Sequence, residues 1–230
     1  MVSTLSDRLV EVKARIEGAA LRAGRDPAAV RLMAVTKTHP REVVQEALEA
    51  GVSLVGENRV QEAEAKYAGL QDRCELHLIG HLQTNKARVA ASLFRCVQSI
   101  DSSHTAQALS ARCSELGRTL DVLLELNTSG ESSKSGFASP DELRVALEVI
   151  EKLPGLRVRG LMTVGPLTDE QDRVRASFAG LRSVFEDLRG GRPRFDVLSM
   201  GMSSDFELAV EEGSTLVRLG TALFGPRAPR

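Results

Sequence analysis

The sequence predicts a single parallel (β/α)8 barrel of the TIM type with one extra N-terminal helix. Three observations carry this prediction. Eight short apolar, β-prone runs alternate with stretches of helical periodicity. The 230 residues hold no long linker, low-complexity segment or composition break, so they read as one domain spanning 1–230. Finally, the unusual polar and glycine-rich stretches fall just after the apolar runs, where a barrel of this kind gathers its functional groups.

The first helix rests on Leu5, Leu9, Val12, Ile16 and Ala19, which recur at spacings of three and four. Gly24 and Pro27 end it. Strands are then expected at 31–36, 53–55, 75–79, 96–100, 121–126, 157–162, 195–199 and 215–219. Helices are expected between them at 42–50, 60–70, 83–92, 103–116, 141–152, 170–188 and 204–211, with a short last one at 221–224. Pro40 suits the start of the helix after the first strand. Residues 226–230 read as a flexible tail. An open doubly wound sheet is the alternative. No G-x-G-x-x-G follows an early strand, which weakens its dinucleotide-binding version.

Composition narrows the function classes. Hydrophobic residues make up 42% of the chain, enough for a sizeable core. Aromatic residues are only 3%, with one Tyr and no Trp, so stacking platforms for bases are scarce. The 30 basic and 31 acidic residues balance to −1, which favours neither nucleic acid nor an anionic membrane as partner. Cys74, Cys96 and Cys113 are too widely spaced for a local metal motif, and their odd number argues against a disulfide framework. No signal pattern and no membrane-length apolar run is present. A cytoplasmic, reducing setting is expected.

Lys37 is the most informative residue. It ends the first apolar strand and precedes Thr38-His39-Pro40. Partial desolvation there would lower its pKa and make it a Schiff-base nucleophile. A snorkelling lysine at a strand end is the plainer reading. The loops after the last two strands, Gly201-Met202-Ser203-Ser204 and Gly220-Thr221, combine small residues and hydroxyls at helix starts. They suit a phosphate, or they are ordinary N-caps, with Ser203 or Ser204 and Thr221 doing the capping. Arg218 lies inside the last strand and needs a partner, either a barrel carboxylate or a ligand acceptor such as a ring nitrogen. A lysine nucleophile, paired phosphate loops and a buried arginine together suggest pyridoxal 5′-phosphate (PLP).

Other candidates have two readings each. His81, at a strand exit, either faces a bound ring or is a satisfied polar residue under a loop. His104 and the cysteines fit helix or core roles. Glu57 and Arg59 are placed to form a loop salt bridge. No metal site and no catalytic residue is assigned.

Seven ordered stretches sharpen this reading. They are Ala34-Val35-Thr36-Lys37-Thr38, Gly56-Glu57-Asn58-Arg59-Val60-Gln61-Glu62, His77-Leu78-Ile79-Gly80-His81-Leu82-Gln83-Thr84-Asn85-Lys86, Ser133-Lys134-Ser135-Gly136, Gly160-Leu161-Met162-Thr163, Leu198-Ser199-Met200-Gly201-Met202-Ser203-Ser204-Asp205 and Gly213-Ser214-Thr215-Leu216-Val217-Arg218-Leu219-Gly220-Thr221. Over nearly its whole length the chain resembles the pyridoxal phosphate homeostasis protein family. That resemblance implies a barrel of the alanine-racemase N-terminal-domain type. It implies PLP on Lys37, phosphate contacts from Ser203, Ser204, Gly220 and Thr221, a pyridine-nitrogen contact from Arg218, and Asn58 near the cofactor. It also implies an auxiliary, PLP-accepting role for Lys134, although a lysine in a polar loop is ordinarily a solvated charge. Many members carry Ser at the position of Thr36 and Lys at that of His39.

The function implied is a PLP carrier or regulator that balances vitamin B6 and amino-acid pools, holding PLP as a lysine Schiff base and delivering it to PLP-requiring apoenzymes. The family leans monomeric. A weak amino-acid racemase is the alternative. It would need a second acid/base group opposite Lys37, and the sole tyrosine, Tyr67, falls in the helix after the second strand. A cofactor-free Schiff-base aldolase acting on a sugar phosphate is the third reading.

Overall fold

The structure, a computed structural model, describes residues 3–131 and 134–226. Ser133 of the Ser133-Lys134-Ser135-Gly136 stretch, and 227–230 of the expected tail, lie outside them.

Eight parallel strands close into a barrel in sequence order. They are β1 Arg31–Val35, β2 Leu54–Glu57, β3 Glu75–Leu78, β4 Cys96–Ile100, β5 Leu120–Glu125, β6 Leu156–Met162, β7 Val197–Ser199 and β8 Leu216–Leu219. β8 returns to β1 with Met33 beside Arg218 and Ala34 beside Leu219. Closure leaves no edge strand with unpaired backbone.

The helices are α1 Leu5–Arg22, α2 Arg41–Glu49, α3 Val60–Tyr67, α4 Ala87–Leu93, α5 Ser103–Glu115, α6 Pro140–Ile150, α7 Gln171–Arg189, α8 Phe206–Glu211 and α9 Thr221–Phe224. α1 is the extra helix. Its start is set by a capping box, in which Thr4 and Asp7 satisfy each other's backbone N–H groups. Its buried stripe of Leu5, Leu9, Val12 and Ile16 is the one its periodicity predicts.

Alternation along the strands sorts the side chains. Met33, Leu54 and Leu216 form one small cluster and Cys96, Leu123 and Met162 another, both separate from the main core. These line the barrel interior. Their neighbours Ala34, Val55, Val97, Val122, Leu161 and Val217 join the main core, where the sheet meets the helices. A strand position can therefore be assigned to the interior or to the helical layer by counting in twos.

Several expected boundaries move. β2 runs on through Gly56 and Glu57, because both pair with β3, at His77 and Leu78, and Gly56 leaves room for Met33, whose sulfur would lie 2.6 Å from a Cβ there. The segment expected as one helix at 83–92 opens with a 3-10 turn, Thr84–Lys86, before α4. α3 ends at Tyr67, and Gly69 follows with φ +73°, a conformation that suits glycine. α8 starts two residues later than expected, after Asp205. No helix among the described residues is long and apolar enough to cross a membrane.

Candidate functional site

At the C-terminal ends of the strands, Lys37 is the second residue beyond β1, whose interior side is marked by Met33. Asn58 directly follows β2, and Gly220 directly follows β8. The barrel's closing pair, β1 and β8, thus brings Lys37, Arg218 and Gly220 to one mouth. Lys37 is half-buried and sits in a tight turn closed by a bond of 3.1 Å from the His39 N–H to the Thr36 carbonyl. Thr38, next to it, has φ +68°, a left-handed conformation that is uncommon for threonine.

Arg218 is 4% exposed. Its Nη1 donates to Ser199 Oγ at 2.7 Å and its Nη2 to the Thr163 carbonyl at 2.6 Å. The expected alternative of a direct carboxylate partner is not what the barrel supplies; both acceptors are neutral. Burial lowers the Arg218 pKa to about 10, against the pull of Glu125 and Asp205 nearby. A hydrogen-bond chain continues into the barrel. Ser199 Oγ donates to Gln98 Oε1 at 2.7 Å, and Gln98 Nε2 meets His77 Nδ1 at 2.9 Å. Burial, ahead of the repulsion from Arg31, drops His77 to about 3, so its ring is neutral and Nδ1 accepts from the amide. The guanidinium is fixed at the end of a directional chain of donors.

The two expected phosphate loops are joined to each other. Ser203 Oγ accepts the N–H groups of Gly220 and Ala222, both at 3.1 Å. Ser203 therefore serves the start of α9, across the gap between the loops. The capping reading fails for the others: Ser204 and Thr221 make no cap bond and are exposed. Asp205 instead accepts the Met202 N–H at 2.6 Å and shapes the first loop. Gly201, at φ +94°, is required there, since a Cβ would lie 2.5 Å from that of Ala209.

Three features were missed by sequence reasoning. Glu125 has the interior register of Leu123, two positions earlier. It lies near Arg218, Asp101 and His81, and burial lifts its pKa to about 7. A carboxylate in the last position of a buried strand was the available signal. The second is Asp205. The third is a buried cluster behind Lys37, made of Thr36, Glu57, Glu62, Lys66 and Tyr67. It corrects the expected Glu57–Arg59 pair: Glu57 bonds Lys66 Nζ at 2.8 Å because its register turns it toward α3, while Arg59 is exposed.

The remaining candidates have partners or places of their own. His81 is exposed, and its Nδ1 lies 2.7 Å from Asp101 Oδ2, so it has a polar partner at the rim. His104 is exposed on α5. Lys134 donates to the Gly165 carbonyl at 3.0 Å and pairs with Glu131 at 2.8 Å, so it is held rather than loose in its loop. Cys96 lies in the interior, Cys113 is buried and Cys74 half-buried, all as thiols. At the opposite, N-terminal end of the barrel is a cavity of about 500 Å³ lined by Arg31, Glu75, Asp121, Arg157, Arg159 and Asp196, none of them from the Lys37 mouth.

Comparison with known proteins gives this arrangement relatives. The alanine racemase N-terminal domain family matches residues 10–228. A pyridoxal phosphate homeostasis protein of Pseudomonas aeruginosa is 47% identical over 227 residues, covering 98% of this chain and 97% of its own. A crystal structure of an unknown protein from Bifidobacterium adolescentis superposes with TM-score 0.90 at 40% identity, covering 96% of this chain and 94% of its own. PipY of Synechococcus elongatus, solved with PLP bound, superposes with TM-score 0.82 at 39% identity, covering 96% of this chain and all (100%) of its own. Likeness of this extent, over nearly the whole length of both chains, means that the chain belongs to the pyridoxal phosphate homeostasis protein family.

Proposed function

We propose that this chain is a PLP-binding carrier or regulator, a single-domain monomer of the cytoplasm that buffers PLP and delivers it to apoenzymes. The observation that carries this reading is that the paired strands β1 and β8 bring Lys37, just beyond β1, and Arg218, inside β8, to the same end of the barrel as the joined Ser203 and Gly220 loops. PLP supplies an aldehyde that condenses with an amine, a pyridine nitrogen and a phosphate dianion.

The residues fit those three groups. Lys37 offers the amine. Arg218, a donor with no acceptor atoms, would face the pyridine nitrogen and disfavour its protonation. Backbone N–H groups of Gly220 and Ala222, now satisfied by Ser203, would turn to the phosphate with the hydroxyls of Ser203, Ser204 and Thr221. Asn58, the residue directly after β2, would join them at the same end of the barrel.

A non-catalytic role is supported by Tyr67. It is the one tyrosine of the chain, is fully buried, and its hydroxyl lies 2.6 Å from Thr36 Oγ1. Burial raises its pKa far above the ordinary range. Buried and bonded to Thr36, it is poorly placed to serve as the second acid/base group that a racemase needs.

The test is absorbance of the purified protein with added PLP, then borohydride reduction and peptide mapping by mass spectrometry. A reduced adduct on Lys37 is expected. Lys37→Ala should abolish it while leaving weak, phosphate-anchored binding. An adduct retained by Lys37→Ala, or mapped elsewhere in the wild-type chain, would overturn the assignment.

A further inference from the structure

Lys37 sits between two peptide groups, and helix α3 bonds to both. Thr36 contributes the carbonyl on one side; it accepts Lys66 Nζ at 2.7 Å. Thr38 contributes the N–H on the other side; it donates to Glu62 Oε1 at 2.6 Å. Glu62 and Lys66 are one helical turn apart and bond each other at 2.8 Å. One ion pair on α3 therefore grips the chain immediately before and immediately after the proposed nucleophile.

The grip is anchored in turn. Lys66 is 7% exposed and also bonds Glu57 Oε1 at 2.8 Å. The same oxygen accepts from Thr36 Oγ1 at 2.6 Å. Tyr67, neutral through burial, completes the chain at Thr36 Oγ1. Arg41, the first residue of α2, donates to the Lys66 carbonyl at 2.8 Å. Glu57 Oε2 is left buried with no hydrogen-bond partner. An ionic cluster with an unsatisfied buried oxygen is a poor way to build stability; apolar residues of similar volume would serve as well or better. Its distinguishing property is geometry: the cluster fixes the two peptide planes that aim Lys37, and it holds Thr38 in its left-handed conformation.

We infer that Glu62 and Lys66, anchored by Glu57, are positioning residues for Lys37, setting the approach of its amine to an aldehyde at the barrel mouth. This rests on the PLP reading of Lys37 for its chemistry, though not for its geometry. Proximity and orientation govern the rate of such a condensation, and a misplacement of about 1 Å can lower it about a hundredfold.

Glu62→Ala is the first variant, because Glu62 is only partly buried and its loss leaves Lys66 paired with Glu57. The Lys66→Met/Glu57→Gln double variant is the second; it removes both buried charges together and keeps an acceptor for Thr36. Two measurements are made on each. Hydrogen exchange by mass spectrometry, without PLP, should show peptides spanning Lys37 and Thr38 exchanging about tenfold faster, with β5 and β6 unchanged. Stopped-flow absorbance should show covalent attachment of PLP slowed about tenfold. Asp121→Asn, at the far end of the barrel, serves as a comparison for general destabilisation and should change neither.

Unchanged exchange and unchanged attachment rate in both variants would overturn the inference. So would an equal slowing in Asp121→Asn. If the wild-type chain forms no adduct on Lys37, the PLP reading fails, while the exchange measurement still decides whether α3 holds the turn.

Discussion

Glu125 shows how a single residue couples the barrel mouth to pH. Burial lifts its carboxyl from the usual 4.5 to about 7, with Arg218 pulling the other way and Asp101 adding to the rise. The folded protein thus holds this proton more tightly than the unfolded chain does. Stability from the group is complete below about pH 4.5 and is lost as pH rises through about 7. Glu125→Gln, which mimics the neutral acid, should be near neutral at about pH 4. At about pH 8 it should stabilise the cofactor-free protein by up to about 3 kcal/mol. Urea denaturation at the two pH values measures this. Equal stability differences at both would show that Glu125 ionises as an ordinary surface carboxylate. The same residue marks a limit of sequence reading. In the apolar run Leu120 to Leu126 it reads as a strand end, and only the interior register of Leu123 turns it toward Arg218. Lys37 and Arg218 stand out in the sequence because a lone charge in an apolar run is conspicuous. Glu57 and Lys66 were not, because their partnership depends on how α3 packs against β2.

At the level of elements, the alternation of strand and helix was readable because each strand's apolar run is bounded by glycine, proline or polar residues. Boundaries moved where local chemistry decided them. α8 waits for Asp205 because Asp205 is committed to the Met202 N–H, and the segment after β3 opens with a 3-10 turn at Thr84–Lys86. The joining of the two last loops by Ser203 was also invisible in sequence, since 17 residues separate Ser203 from Gly220. Exit loops of neighbouring strands meet elsewhere too. A Cβ on Gly80, after β3, would lie 2.3 Å from the carbonyl oxygen of Asn58, after β2, and 2.9 Å from its Cα. These are backbone atoms, so the loop bearing Asn58 must move to admit a methyl group. Gly80→Ala should therefore cost about 1–3 kcal/mol and weaken PLP binding together. Thermal denaturation and a PLP titration read the two effects. A variant with wild-type melting temperature and affinity would mean that the loops part freely.

Across the whole molecule, the two ends of the barrel are built differently. The C-terminal mouth collects Lys37, Asn58, Arg218 and the Ser203–Gly220 loops, and accepts uncomfortable geometry there, in Thr38 and in the buried Glu125. The N-terminal end is tied by charge. Asp121 on β5 accepts from Arg157 Nε and Arg159 Nη1 on β6, and Arg159 also bonds Asp196, just before β7. Three consecutive strands are thereby laced below the interior clusters. Between the ends runs the chain from His77 through Gln98 and Ser199 to Arg218, which gives the mouth a fixed floor. Asp121→Asn weakens the lacing, because one amide oxygen cannot serve both arginines as a carboxylate does. The side chains involved are partly exposed, at 20% for Asp121, 39% for Arg157 and 27% for Arg159, so solvent screens much of the attraction. The expected loss is about 1–2 kcal/mol in urea denaturation, with PLP affinity unchanged, because the Met162, Leu123 and Cys96 cluster stands between the lacing and the mouth. A matching loss of PLP affinity would mean that the apolar interior transmits strain along the barrel axis, and that stability and ligand binding are not divided between its ends.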